Sequence, residues 1–152
     1  MPATMPISVL RYDEIIMSHQ DNLKFSYDTI FYPQLANMGY QTTKCDNFVD
    51  AQIGYILGDT GRSYVVGFGN NPPLRPHHRS SSCPSPMSSP CGNAQQNDPA
   101  PNPQTLYGAL VGGPDNNDNY NDDRGDYVSN EVATDYNAGF QSAVAYLAKK
   151  NC

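Results

Sequence analysis

Acidic side chains crowd one stretch of the chain, and their type points to proton transfer or cation binding. Between residues 115 and 135 the sequence carries seven carboxylates and a single base, Arg124. The acids are Asp115, Asp118, Asp122, Asp123, Asp126, Glu131 and Asp135. Like charges at this density raise one another's energy, so the stretch requires an explanation. Three explanations are open: a solvated flexible loop, a calcium site, or acid/base chemistry on a sugar.

A calcium loop of the EF-hand type fails a test of spacing. If Gly125 is loop position 6 and Glu131 is position 12, then Tyr120 falls at position 1 and Arg124 at position 5. Both positions require oxygen ligands, so the EF-hand is excluded. The oxygen-rich loops remain compatible with a structural calcium ion whose ligands the sequence does not identify. No other cofactor and no other metal site are predicted.

Glu131 is the carboxyl that the residues favour for acid/base work. Cleavage of a glycosidic bond needs one protonated carboxyl and one ionised carboxylate, and neighbouring acids can keep one carboxyl protonated near neutral pH. Glu131 is one of two glutamates in the chain. We expect it to begin a helix capped by Ser129 or Asn130. That position favours the anion, so burial or the neighbouring acids would have to outweigh the helix dipole.

A second candidate lies in the segment SYVVGFGNNPPLRPHHR, residues 63–79. His77, His78 and Arg79 stand together in a proline-fixed loop and have the chemistry to bind sugar hydroxyls or a carboxylate. An exposed basic loop without function is the plain alternative. The aromatic residues around both candidates offer flat faces for sugar stacking, although core packing explains most aromatic side chains equally well.

The elements that must position these residues are mostly helical. Residues 48–57 show helical spacing of apolar side chains and end before Gly58, and residues 131–150 carry an apolar stripe from Tyr136 to Leu147. SYVVGFG looks extended. Residues 69–105 hold nine of the 13 prolines and no Phe, Tyr or Trp, so we expect no regular structure there.

Composition excludes several classes of function. The net charge of −6 argues against nucleic acid, which requires clustered basic residues. No apolar run approaches the roughly 20 residues of a membrane span, and the N-terminus shows no signal peptide. Cys83 and Cys91 lie in one Ser/Pro-rich loop and form a local bridge, remain free thiols or serve as metal ligands.

Both candidate segments resemble glycoside hydrolase family 9, the endoglucanases or cellulases. Residues 63–79 and the segment YNDDRGDYVSNEVATDYNA, residues 120–138, are similar to the two signature stretches of that family in order and spacing. YILGDTG and LYGALVGGPDNNDNY, which precede them, are also similar to family members. The resemblance covers residues 48 to about 148. We therefore divide the chain into an unmatched, weakly helical leader, 1–47, and the C-terminal part of a family 9 catalytic module, 48–152.

The resemblance implies an all-α fold, part of an (α/α)6 barrel with long irregular loops, and inverting hydrolysis of internal β-1,4-glucosidic bonds. Glu131 matches the proton donor, while Asp122 and His77 match the other two signature active-site positions. Arg79 and Tyr136 match positions that line the sugar subsites.

The family's catalytic base, an Asp in a DAGD-type motif, has no counterpart in the chain. The implied partners are β-1,4-glucans or cello-oligosaccharides, the complete module is expected to be a monomer, and the implied location is extracellular. A carbohydrate-binding remnant without catalysis is the alternative.

Overall fold

The computed structural model describes residues 43–86, 89–115 and 117–150, with residues 43–48 described by their backbone. Five helices follow one another along this part of the chain: α1 (Thr43–Leu57), α2 (Arg79–Ser82), α3 (Asn93–Gln96), α4 (Tyr127–Asn130) and α5 (Thr134–Lys150). The described residues form three isolated β-bridges and no strand. The predicted all-α class is confirmed. Most of the predicted leader, 1–47, lies outside the described residues, and no described helix is long and apolar enough to cross a membrane.

The two long helices, α1 and α5, pack against each other and form the core together with residues 64–66, 110 and 111. α1 contributes Val49, Ile53 and Ile56, whose spacing of four and three residues places them on one helical face. α5 contributes Phe140 and Ala143, which are 7% and 0% exposed. An ion pair of 3.1 Å between Lys150 and Asp50 spans the two helices at the surface. Exposed pairs of this kind contribute under about 1 kcal/mol, so burial of the apolar faces carries the packing.

Extended backbone fills the space between the helices. The backbone N–H of Tyr64 donates to Ile56 (2.9 Å), and that of Val111 donates to Tyr64 (3.1 Å). Val65 pairs with Leu110 in one of the isolated bridges. The segment SYVVGFG is therefore extended as far as Val65, as predicted, but it turns after that residue, where the backbone N–H of Phe68 donates to the carbonyl of Val65 at 3.1 Å. Gly69 closes this segment with φ +75°, and a Cβ there would lie 2.0 Å from the carbonyl oxygen of Leu57. Only glycine fits this position.

The predicted helix starts are wrong at both long helices. α1 begins at Thr43 rather than at residue 48, and α5 begins at Thr134 rather than at Glu131. Ser129 and Asn130, the predicted caps, belong to α4. The delay has a backbone cause: the carbonyl of Glu131 accepts from Gly112 (2.9 Å), and Val132 forms a bridge with Val111. This pairing holds residues 131 and 132 extended, with φ −62° and ψ 142° at Glu131.

The proline-rich loop is more ordered than the sequence predicted. It contains two single-turn helices, α2 and α3, so the expectation of no regular structure over 69–105 is wrong to that extent. A disulfide joins Cys83 to Cys91, with Cα atoms 5.4 Å apart, which decides between the three alternatives for these cysteines. The side chain of His78 caps α2 by accepting from the backbone N–H of Ser81. A local helix cap and one disulfide therefore order this loop, which has no repeating pattern of apolar residues.

Candidate functional site

Backbone hydrogen bonds bring the two signature segments side by side. The backbone N–H of His77 donates to the carbonyl of Asn130 at 2.7 Å, and His77 and Glu131 form a parallel bridge. Glu131 sits at the bend between α4 and α5, half-buried. The predicted acid and the predicted histidine loop therefore meet, although they are far apart in sequence.

Asp122 ties the same two segments together through its side chain. Its carboxylate accepts two backbone N–H groups, from Leu74 at 2.8 Å and from Arg75 at 3.0 Å. Both oxygens are thus engaged in holding the loop that leads into His77. In this structure Asp122 positions the histidine loop, and its direct contact with a substrate stays a prediction.

Most of the acidic stretch serves local architecture. Asp126 caps α4, and Asp123 accepts from Gly125 in a tight turn (2.9 Å). Asp118 accepts from the hydroxyl of Tyr55 (2.8 Å). Asp115 accepts from the backbone of residues 117 and 119 and from the side chain of Asn119; these bonds, the side-chain bond foremost, hold the pKa of Asp115 below its usual range. Five of the seven acids are therefore engaged as hydrogen-bond acceptors.

Two acids of the stretch are different. Within the described part of the chain, the carboxylates of Glu131 and Asp135 accept no hydrogen bond. Asp135 lies exposed in the first turn of α5, whereas Glu131 is half-buried at the bend beside His77. Of the seven candidates, Glu131 alone combines a free carboxylate with the neighbourhood of the histidine loop.

The ring of His77 is fixed by contacts on two sides. Its Nδ1 lies 2.7 Å from the backbone oxygen of Arg124, and its ring meets the edge of Tyr127 with 6.3 Å between centroids. An open cavity of about 430 Å³ is lined by His77, His78, Arg79, Ser82 and Arg124, together with residues 91–93, 95 and 96. Glu131, Asp122 and Tyr136 do not line this cavity.

The two predicted subsite residues differ in exposure. Arg79 is exposed at the first position of α2 and borders the cavity. Tyr136 is only 9% exposed and packs in the core with Phe140. Burial raises the pKa of Tyr136, and the charges of Glu131 and Asp135 raise it further. A sugar contact by either residue stays a prediction.

Three tyrosines form a cluster with one another rather than open stacking faces. The rings of Tyr55 and Tyr64 are 5.6 Å apart, those of Tyr64 and Tyr120 are 5.3 Å apart, and Arg62 lies 5.2 Å from the Tyr120 ring centre. Burial is the main cause that raises the pKa of all three hydroxyls. The exposed aromatic rings among the described residues are instead Phe68, Tyr107 and Tyr127.

Sequence reasoning missed the buried polar residues that hold the site together. Asn130 is 0% exposed; its Nδ2 donates to Asn121 at 2.8 Å, and its Oδ1 accepts from Tyr120. Asn102 is also buried and donates to Pro76 and Ser81. Neither residue carries a charge or belongs to an apolar pattern. The one available signal was the position of Asn130 next to Glu131.

Metal ligands do not assemble in the part of the chain that the structure describes. No group of three or more His, Cys, Asp or Glu side chains comes together there in a geometry that would hold an ion. The side chains that come together around the histidine loop are instead the imidazoles of His77 and His78 and the guanidinium groups of Arg79 and Arg124, with the carboxylate of Glu131 beside His77.

Comparison with known proteins identifies the family. The model of glycosyl hydrolase family 9 matches residues 6–144, so the chain belongs to that family. It is 47% identical over 130 residues to endoglucanase B of Cellulomonas fimi, covering 82% of this chain and 12% of that protein. The family match begins within the segment 1–47, and the domain boundary after residue 47 stays a prediction.

Solved structures give the same answer for the fold. The endoglucanase of the termite Nasutitermes takasagoensis superposes with a TM-score of 0.76 at 56% identity, covering 82% of this chain and 28% of the termite chain. Endoglucanase CelQ of Clostridium thermocellum, solved with cellobiose and cellotriose, gives a TM-score of 0.70 at 39% identity, covering 86% and 22%. The chain is therefore part of an (α/α)6 barrel, and it spans between about an eighth and a quarter of these relatives.

Proposed function

We propose that this chain acts in the endo-hydrolysis of β-1,4-glucosidic bonds of cellulose and related β-glucans, as part of an inverting catalytic module. Glu131 donates the proton to the leaving oxygen. The ionised base that an inverting mechanism requires comes from residues outside this chain. His77 and Arg79 contact the sugar, Tyr136 adds a further contact, and Asp122 keeps the histidine loop in place or touches the substrate itself.

The free carboxylate of Glu131 is the observation that supports this proposal most strongly. An acid that must reach a leaving oxygen cannot be saturated by backbone donors, as Asp122 and Asp126 are. Glu131 meets this condition and lies beside His77. The relatives add weight, because they are named endoglucanases and one was solved with cello-oligosaccharides bound.

Partner and location follow the same proposal. The ligand is a β-1,4-glucan chain or a cello-oligosaccharide, and neither nucleic acid nor a membrane is involved. The complete module acts as a monomer outside the cell, where cellulose is found. A structural calcium ion stays compatible with the oxygen-rich loops. Measuring the stability with and without a chelator tests whether such an ion is bound.

A chimera tests the proton donor. Residues of this chain replace the matching 28% of the termite endoglucanase, to which they are 56% identical. We expect the chimera to hydrolyse carboxymethylcellulose. Glu131→Gln should lower kcat by about 10²- to 10⁴-fold, the usual contribution of a general acid. Asp135→Asn is the matched control, because Asp135 is a second free carboxylate only four residues away, and it should retain most of the activity.

The remnant that binds carbohydrate without catalysis is the second candidate. The exposed Arg79 at the cavity and the nearby exposed tyrosines Tyr107 and Tyr127 favour it. A folded chimera that binds cellotetraose but releases no reducing sugar would support the remnant. Equal loss of activity in Asp135→Asn and Glu131→Gln would refute the assignment of Glu131.

A further inference from the structure

His77 and His78 are adjacent in sequence, yet their rings make hydrogen bonds of opposite sense. Nδ1 of His77 lies 2.7 Å from the backbone oxygen of Arg124. A carbonyl oxygen only accepts, so Nδ1 of His77 must carry a proton. Nδ1 of His78 instead accepts from the backbone N–H of Ser81 at 3.2 Å, so this nitrogen carries none. In the neutral rings, Nε2 is therefore an acceptor on His77 and a donor on His78.

Both residues line the cavity of about 430 Å³ that also includes Arg79. We infer that the His77–His78 pair presents this cavity with one hydrogen-bond acceptor and one donor at the same time, and that Arg124 is the positioning residue that fixes the acceptor. The inference deepens the proposed function and rests on it for the identity of the ligand. Each sugar hydroxyl donates and accepts, so such a pair matches neighbouring hydroxyls of one neutral sugar ring.

Arg124 is built to hold a fixed position. It is 3% exposed, and its guanidinium donates to the side chain of Asn102 (2.6 Å). It also donates to the backbone oxygens of Gln95, Asp98 and Ala100, at 2.6, 2.7 and 2.8 Å. None of these partners is a carboxylate. A planar fork held by four acceptors has little freedom to move, so the carbonyl of the same residue faces His77 from a constant position.

Arg124 thus links two groups of cavity residues. Its side chain donates to residues between 95 and 102, and its backbone oxygen lies against the ring of His77. A purely structural arginine would stabilise the loop without influencing which ring nitrogen of His77 carries the proton. The tautomer of His77 is therefore the property that separates the two views.

Nuclear magnetic resonance on the 152-residue chain, labelled with ¹⁵N and ¹³C, measures this property directly. At a pH where both rings are neutral, the ring ¹⁵N shifts should show a protonated Nδ1 on His77 and a protonated Nε2 on His78. A scalar coupling across the hydrogen bond should connect Nδ1 of His77 to the carbonyl carbon of Arg124. The same tautomer on both rings, or a protonated Nε2 on His77, would overturn the inference without any variant being made.

Substitution then tests the positioning role. In Arg124→Lys a single ammonium replaces the fork, so we expect His77 to become a mixture of tautomers while His78 stays as in the wild type. Arg75→Lys is the matched control, because no described residue accepts a hydrogen bond from its side chain, and it should change neither ring. A folded Arg124→Lys with an unchanged His77 would overturn the role of Arg124. If that variant does not fold, Asn102→Ala replaces it, because it removes one of the four acceptors of the Arg124 guanidinium, and an unchanged His77 tautomer there would overturn the role of Arg124.

Titration with cellotetraose separates this inference from the proposed function. We expect both Nε2 signals to shift on binding, and a several-fold weaker affinity in Arg124→Lys. Opposite tautomers with no shift would support the tautomer pair and count against glucan as the ligand. Glucan binding to a His77 with a protonated Nε2 would support glucan as the ligand and overturn the tautomer pair.

Discussion

Most of the acidic residues near the site accept hydrogen bonds from backbone N–H groups. A carboxylate that receives two such bonds is fixed in one orientation, because each bond constrains a different oxygen. Asp122 is in this situation with Leu74 and Arg75, whereas Glu131 accepts nothing from the described residues. The same residue type therefore does structural work at one position and is available for chemistry at the other.

Replacing Asp122 by asparagine tests the structural part of this division. Asp122→Asn keeps one acceptor but turns an NH2 group toward a backbone N–H, leaving a donor unsatisfied. We expect the free energy of unfolding to fall by about 1–3 kcal/mol in urea denaturation. The exposed control Asp135→Asn should stay within about 0.5 kcal/mol of the wild type. A variant as stable as that control would show that the two hydrogen bonds contribute nothing net.

The sequence singled out candidate residues but not the contacts that hold them. The signature stretches pointed to Glu131 and His77, whose segments the structure brings together, and the roles of both residues in catalysis stay predictions. The contacts of Asn130 and Asn102 did not, because a buried amide leaves no periodic or charge signal before its partners are known. The opposite hydrogen bonds of His77 and His78 were equally hidden, since both residues carry the same side chain.

Helices were predictable where an apolar face is repeated and unpredictable where backbone pairing competes. The stripe from Tyr136 to Leu147 correctly indicated α5, but its start was placed at Glu131 instead of Thr134. The bridge between Val132 and Val111 keeps the preceding residues extended, and this non-local contact is invisible in the local pattern. α2 and α3 were missed because a single turn held by caps and a disulfide has no period.

The packing of α5 on α1 is where we expect the shortening of a side chain to lower the free energy of unfolding most. Phe140 is 7% exposed in the core, so Phe140→Ala should lower the free energy of unfolding by about 3–5 kcal/mol, measured by thermal or urea denaturation. Val144→Ala lies one turn further along the same helix at 36% exposure and should cost under about 1 kcal/mol. Similar losses at both positions would mean that α5 is not held by the face described here.

At the scale of the whole molecule, several large apolar side chains lie outside the small core. Six large apolar side chains are exposed among the described residues: Phe68, Leu74, Tyr107, Tyr127, Val128 and Val144. A barrel of paired helices buries such faces against neighbouring pairs. We expect the isolated chain to bind a hydrophobic dye and to unfold at a lower temperature than the chimera, in which the remaining barrel helices cover these side chains. An isolated chain that binds no dye and melts as high as the chimera would contradict this.

The stability of the whole molecule at alkaline pH depends on the three clustered tyrosines. Burial raises the pKa of Tyr55, Tyr64 and Tyr120 above the ordinary value of about 10, and the charge of Asp122 adds to the effect at Tyr120. Above about pH 10 the unfolded chain has released these protons while the folded chain keeps them. The unfolded state then binds fewer protons, so the free energy of unfolding must fall as the pH rises.

The slope of that fall identifies the groups responsible. Urea denaturation at several values between about pH 8 and pH 11 should give a constant stability at first and a steep decline past about pH 10. Tyr120→Phe removes one titrating group and should make the decline shallower, even though the loss of the hydrogen bond to Asn130 lowers the stability at every pH. Tyr107→Phe, at an exposed ring, should leave the slope unchanged. Equal slopes in the wild type and Tyr120→Phe would mean that the hydroxyl of Tyr120 is accessible to solvent and that burial in the tyrosine cluster does not raise its pKa.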